Sequence, residues 1–186
     1  MRAVLIALWI AGGAWSFPAT AQIGPHFSCE AMSSRMTEMV IGRQGFTRIR
    51  TRVTVRPSGI SAPLLSFQRL DPDRQRHVDF RMSVGLPKSP NGTWPTMFQM
   101  RIQDFAHHQV MTAESFEHPA FYAKEFDLTL IASADGKMEA RVEIRYPDEP
   151  EPRVEQVTLR VKPVDPGLVL LWCDGGAFEF TDFTME

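Results

Sequence analysis

Residues 47–56 read TRIRTRVTVR, and their strict alternation decides the fold class. Ile49, Thr51, Val53 and Val55 share one side, while Arg48, Arg50, Arg52, Thr54 and Arg56 share the other. A period of two with β-branched residues on the apolar side predicts a strand with one buried face. Pro57-Ser58-Gly59 ends it.

Outward from that stretch the pattern recurs. Leu64–Leu70 predicts a second strand and Asp71-Pro72-Asp73 a turn. His77–Val84 turns Val78, Phe80, Met82 and Val84 inward, and Thr96–Gln103 does the same with Phe98, Met100 and Ile102. The intervening Pro87–Pro95 reads as a surface loop whose Asn91-Gly92-Thr93 is a turn. Phe126–Ala132 and Lys137–Arg145 flank the hairpin turn Ser133-Ala134-Asp135-Gly136. Met138, Ala140, Val142 and Ile144 then face the core. Glu155–Val161 and Ala177–Phe183 add strands, and Leu168–Cys173, apolar on both sides, predicts a central one.

Before the first strand, Cys29–Val40 suggests a short helix. Ser28 is a candidate N-cap, and Cys29, Met32, Met36, Met39 and Val40 fall on one stripe. The competing reading starts a strand at Met36–Ile41. About nine or ten short strands with regular turn signals indicate an all-β domain. A single-domain β-sandwich is the first expectation, with a small β-barrel as the alternative.

Residues 1–21 place Arg2 before the apolar run Ala3–Ile10, then Gly12-Gly13, Pro18 and Ala19-Thr20-Ala21. That order predicts a cleaved signal peptide, leaving 22–186 as one β-rich domain in the periplasm or, alternatively, secreted. The apolar run is shorter than the ~20 residues needed to span a bilayer. Cys29 and Cys173 are the two cysteines, and in an exported chain such an isolated pair predicts one disulfide.

Charge is distributed unevenly. Residues 22–103 carry 12 basic and 5 acidic side chains, whereas 104–186 carry 7 and 17. Strands from the two halves pairing side by side would neutralise this gradient locally. Two opposed faces, the basic one recruiting an anion, are the alternative.

No G-x-S-x-G, H-E-x-x-H, P-loop, G-x-G-x-x-G or C-x-x-C motif occurs. The sharpest surface feature is Arg48, Arg50, Arg52 and Arg56 on one strand face. Guanidinium groups spaced this way can grip phosphate or carboxylate bidentately. The leading expectation is an exported, non-catalytic binding protein of the cell envelope that needs no cofactor. It would contact an anionic partner (protein, polysaccharide or lipid headgroup), and not nucleic acid, through those arginines. The competing structural reading has Glu139, Glu143 or Glu155 neutralise them from adjacent strands.

A periplasmic protein handling copper or zinc is the alternative function. Its candidate ligands are His107, His108, Glu114 and His118, with Met32, Met36 and Met39 as thioether donors. A solvated polar loop over Asp104–His118 and core packing of the methionines are the simpler readings. A hydrolase using Asp104, Glu114, Glu117 or His108 as acid and base is a third class, and requires two of them to converge.

Overall fold

The computed structural model describes residues 23–31, 36–43, 45–58, 63–70, 76–83, 96–104, 109–118, 125–145, 149–160 and 167–186. They form twelve strands: β1 (Phe27–Glu30), β2 (Thr37–Gly42), β3 (Arg48–Pro57), β4 (Leu64–Leu70), β5 (Arg76–Ser83) and β6 (Thr96–Asp104). The chain continues through β7 (Gln109–His118), β8 (Glu125–Ala132), β9 (Lys137–Ile144), β10 (Arg153–Arg160), β11 (Val169–Asp174) and β12 (Gly176–Met185).

Strand pairing is antiparallel throughout and divides into two six-stranded sheets. Sheet I has the order β1-β12-β3-β8-β9-β10, and sheet II has β2-β11-β4-β5-β6-β7. Each ladder ends in edge strands and neither closes on itself, so the architecture is a sandwich and not a barrel. Alternation sets which side of each strand enters the core. Ile49, Val53 and Val55 of β3 are buried, as are Met138, Ala140, Val142 and Ile144 of β9. From sheet II, Leu65, Phe67, Val169 and Leu171 meet them. Phe180 stacks on Phe27 at 4.5 Å between ring centres and meets Phe67 edge-on at 6.1 Å.

The disulfide joins Cys29 of β1 to Cys173 of β11 with a Cα–Cα distance of 6.2 Å. It ties an edge strand of sheet I to an inner strand of sheet II. The predicted hairpin is present too. Gly136, at φ 83°, donates its N–H to the Ser133 carbonyl, and Ser133 donates to that of Lys137.

Two expectations need correction. No helix forms at the described residues of 29–40: Cys29 and Glu30 belong to β1, and Thr37–Val40 to β2. Cys29 stands opposite Phe178 of β12, and Met39 opposite Leu171 of β11. Ladder pairing to two long strands outweighs a helical stripe that no neighbour is placed to cover. The described residues of 104–118 are likewise not a loop, because Asp104 ends β6 and Gln109–His118 pairs along β6 as β7. Residues 1–21, Met32, the turn at Asn91, and His107-His108 lie outside the described residues. No helix among the described residues is long and apolar enough to cross a membrane.

Candidate functional site

The arginines of β3 lie on the outer face of sheet I, flanked by β12 on one side and β8 on the other. Register decides their partners. Arg52 stands opposite Asp127 and Thr181, Arg50 opposite Thr129 and Thr184, and Arg48 opposite Ile131. Arg56 stands opposite Ala177.

Arg52 is the most compensated of the four. Its Nε donates to Asp127 Oδ1 at 2.9 Å and lies 3.6 Å from Glu125. The hydrogen bond and charge of Asp127 hold the Arg52 guanidinium above its ordinary value, with Glu125 and Asp182 adding to the effect. Asp182 sits in a bulge of β12, between Thr181 and Thr184, at φ 54°. Asp127 also receives Arg145 at 2.7 Å. Arg56 is paired with Glu179 at 2.6 Å. Arg48 is half-buried, and its Nε has no hydrogen-bond partner among the described residues.

Arg50 differs from all three. It is exposed, and no carboxylate pairs with it among the described residues. The register row through it runs Thr184, Arg50, Thr129, Arg141 and Gln156 across five strands without a single acid. Arg50 and Arg141 are two strands apart in that row, about 9.5 Å at ordinary strand spacing. Arg141 makes one exposed ion pair, to Glu143 in the next row, at 2.9 Å. The result is a carboxylate-free lane with two threonine hydroxyls, across a face on which Arg52, Arg56 and Arg145 are ion-paired.

The acids that meet the β3 arginines are Asp127, Glu125 and Glu179. Of those expected from the sequence, Glu139 pairs with Lys137 and Glu143 with Arg141. The Asp127 partnership spans 75 residues of chain and depends on which strand follows β3 in the sheet, so alternation alone carried no signal for it.

The described metal and acid–base candidates are spread over β2, β6 and β7, with Met36 just before β2. Met36 is exposed, whereas Met39, three residues on and of opposite strand parity, packs partly buried against the core. Glu114 and His118 lie four residues apart on β7, about 13 Å along an extended strand. Glu117 pairs with Met97, and Asp104 ends β6 opposite Gln109. Among the described residues no group of three or more His, Cys, Asp or Glu is placed to hold a metal ion.

A second polar cluster was not anticipated. On the outer face of sheet II, Ser66 and Gln68 of β4 are each 1 % exposed. Trp172 stands opposite Ser66, and Leu170 opposite Gln68. The available signal was the alternation of Leu65 and Phe67 with Ser66 and Gln68, which marks a strand carrying polar groups on its non-core side. Between the sheets, Phe46, Phe67, Arg69, Phe80, Met100, Leu130, Met138 and Glu139 line a cavity of about 10 Å³. That is room for no more than one water. Burial there pushes the Arg69 guanidinium below its ordinary value.

No family model matches the sequence, and no curated protein sequence matches it. Several solved structures are similar to the chain. The carbohydrate binding module CBM66 from Bacillus subtilis is similar with a TM-score of 0.54 and 11 % identity, over 87 % of this chain and 95 % of that one. A galectin from Caenorhabditis elegans gives 0.48 and 10 % over 84 % and 95 % of the two chains. The toad ovary galectin in complex with thio-digalactose gives 0.46 and 11 % over 83 % and 100 %. At such identity the likeness to the bacterial module establishes a shared two-sheet fold.

Proposed function

We propose that this is an exported, non-catalytic binding protein of the cell envelope that captures an acidic polysaccharide through the outer face of sheet I. One observation carries the reading: the lane Thr184, Arg50, Thr129, Arg141 and Gln156, which presents two guanidinium groups and two hydroxyls with no carboxylate between them. Guanidinium is weakly hydrated and binds carboxylate or sulfate through two parallel hydrogen bonds. Arg52, held by Asp127, borders the lane on one side and keeps its positive potential local. The fold likeness to a carbohydrate binding module favours a glycan over a protein or lipid headgroup as the anionic partner. Export rests on the charge, apolar run and A-x-A order of residues 1–21, with processing before Gln22.

The decisive experiment is affinity electrophoresis of the processed protein through gels containing acidic or neutral polysaccharides. Retardation by an acidic polymer is expected, weakening as salt rises because exposed charges are screened. Arg50→Glu, with an unchanged unfolding midpoint, should lower affinity by at least about tenfold, the effect of one lost charge-assisted contact. Unaltered retardation of a folded Arg50→Glu, Arg141→Glu double variant refutes the site. Mass spectrometry of the envelope-fraction protein checks export: a chain beginning at Gln22 is expected, and retention of Met1 overturns it.

A further inference from the structure

Sheet I ends at β10, and no strand among the described residues pairs along its far side. The β8–β9 hairpin fixes which backbone groups are left over there. Ser133 donates its N–H to the Lys137 carbonyl and Arg145 donates to that of Glu125, so the odd residues of β9 bond to β8. Main-chain groups alternate in direction along an antiparallel strand, so the even residues Met138 to Ile144 bond to β10. Their partners there are odd, with Ile144 opposite Arg153 and Ala140 opposite Val157. The N–H and C=O groups of Val154, Gln156, Thr158 and Arg160 therefore point out of the sheet.

Such an edge is a template for another strand. It runs for eight residues without a bulge. The side chains of Val154, Gln156, Thr158 and Arg160 are all exposed, Val154 at 48 %. Charge decides the direction of the partner. Two acids precede the strand: Glu149 is held by Arg153, and Glu151 is exposed. At the other end Arg160 has a side chain 77 % exposed, and its ion pair to Asp135 is 3.9 Å long. A second copy laid antiparallel sets the acidic end of one strand against the basic end of the other, whereas a parallel copy sets like against like.

A two-fold axis at Gln156 opposes it to Gln156 of the second copy, and Val154 to Thr158 of that copy. An amide both donates and accepts, so it pairs with its own kind, and a β-branched neighbour covers Val154. An axis one residue further on opposes Val154 to Arg160 instead. Gln156 is also the last residue of the arginine lane, opposite Arg141. With the axis there, the row runs Thr184, Arg50, Thr129, Arg141, Gln156 and then the same five in reverse order. Four guanidinium groups share one carboxylate-free row, and the two Arg141 Cα atoms stand about 14 Å apart at ordinary strand spacing.

We propose that two copies of this chain pair antiparallel along the free edge of β10, with the axis at Gln156, and that their joined lanes hold one acidic polymer chain. The second copy thus supplies half of the site. The joined site rests on the arginine lane, but the pairing does not. A contact one strand wide belongs at the small end of protein interfaces, so a dissociation constant between about 10 μM and 1 mM is expected.

Sedimentation equilibrium of the full processed protein without polymer tests the pairing, and dimers are expected by about 1 mM protein. Thr158→Pro removes a main-chain donor that points away from β9, so it should abolish the dimer while leaving the urea midpoint close to the parent's. Val154→Lys, a charge on the open edge, should do the same. A short bis-maleimide reads the register. Gln156→Cys should crosslink faster than Thr158→Cys, whose two copies lie about 14 Å apart. Affinity electrophoresis in acidic polysaccharide then tests the joined site. Both edge variants should bind at least about tenfold more weakly than the parent, as loss of a linked second site requires. A parent still monomeric at about 1 mM overturns the pairing, even where an acidic polymer retards it. A dimer that crosslinks no faster through Gln156→Cys overturns the axis, and folded edge variants retarded like the parent overturn the joined site. If the parent dimerises but no acidic polymer retards it, the arginine lane falls and the joined site with it, while the pairing is upheld.

Discussion

Removing the Cys29–Cys173 bridge is the perturbation whose magnitude follows most directly from the chain. The bond closes a loop of 144 residues. In the chain-entropy treatment a loop of that length costs the unfolded ensemble roughly 17 cal/mol/K, or about 5 kcal/mol at 25 °C. That figure is an upper bound, because a real denatured chain is already compact. Domains of this size are stable by about 5–15 kcal/mol, so the bond accounts for between a third and all of the margin. Both cysteines are 1 % exposed, so alanine at each also removes some packing. The Cys29→Ala, Cys173→Ala double variant, compared with the oxidised parent by urea unfolding and tryptophan fluorescence, should lose about 3–5 kcal/mol. Its m-value should rise, since an uncrosslinked unfolded chain exposes more surface. A loss below about 1 kcal/mol would refute the entropic reasoning.

Further outcomes test packing and charge. A Cβ on Gly176 would lie 2.5 Å from the backbone oxygen of Arg56, which cannot move without breaking the β3–β12 ladder. Gly176→Ala should therefore cost about 1–3 kcal/mol in urea unfolding, as overpacking does. At Gly42 the nearest atom is Met185 Cε at 2.8 Å, the end of a flexible side chain. Gly42→Ala should therefore cost less than about 1 kcal/mol. Phe180→Ala, which opens the stack against Phe27 and Phe67, should cost about 3–5 kcal/mol by the same measurement. Arg52→Ala should cost no more than about 1 kcal/mol, because its side chain is 39 % exposed and solvent screens the pair. Its folded value is raised, so its contribution is complete below the ordinary arginine value and is lost only at still higher pH. The Arg52→Ala penalty should therefore stay constant from neutral to mildly alkaline pH, and a penalty that falls over that range would contradict the assigned pairing.

Local periodicity made most strands visible. The alternations of 48–57 and 137–144 are strict because one side of each strand is buried and the other is wet. The N-terminal segment misled because Cys29, Met32, Met36 and Met39 satisfy a helical stripe, while β1 and β2 gain their conformation from β12 and β11 far along the chain. The segment of β7 mixes two acids and a histidine with apolar residues, so neither side reads as a clean face, and only its ladder with β6 defines it. The arginines were legible as a row for the same reason that β3 was. Which of them remain uncompensated depends on register with Asp127 and Glu179, residues more than 70 positions away. Ser66, Gln68 and Trp172 were hidden because their meaning lies in pairing between β4 and β11, more than a hundred residues apart.

Topology also explains why a chain with so steep a charge gradient has an ion-paired outer face. Sheet I places β3, from the basic half, between β8 and β12, both from the acidic half. Neutralisation is thus built into strand order, at Arg52 with Asp127 and at Arg56 with Glu179. It fails at Arg50, where register brings threonine instead of a carboxylate to either side. Sheet II draws β2, β4, β5 and β6 from the basic half, and its register sets Asp79 of β5 opposite Arg101 of β6. Capture through Arg50 and Arg141 should therefore weaken as the screening length shortens. Retardation by an acidic polymer that held undiminished at raised salt would show that these two exposed guanidinium groups do not carry it.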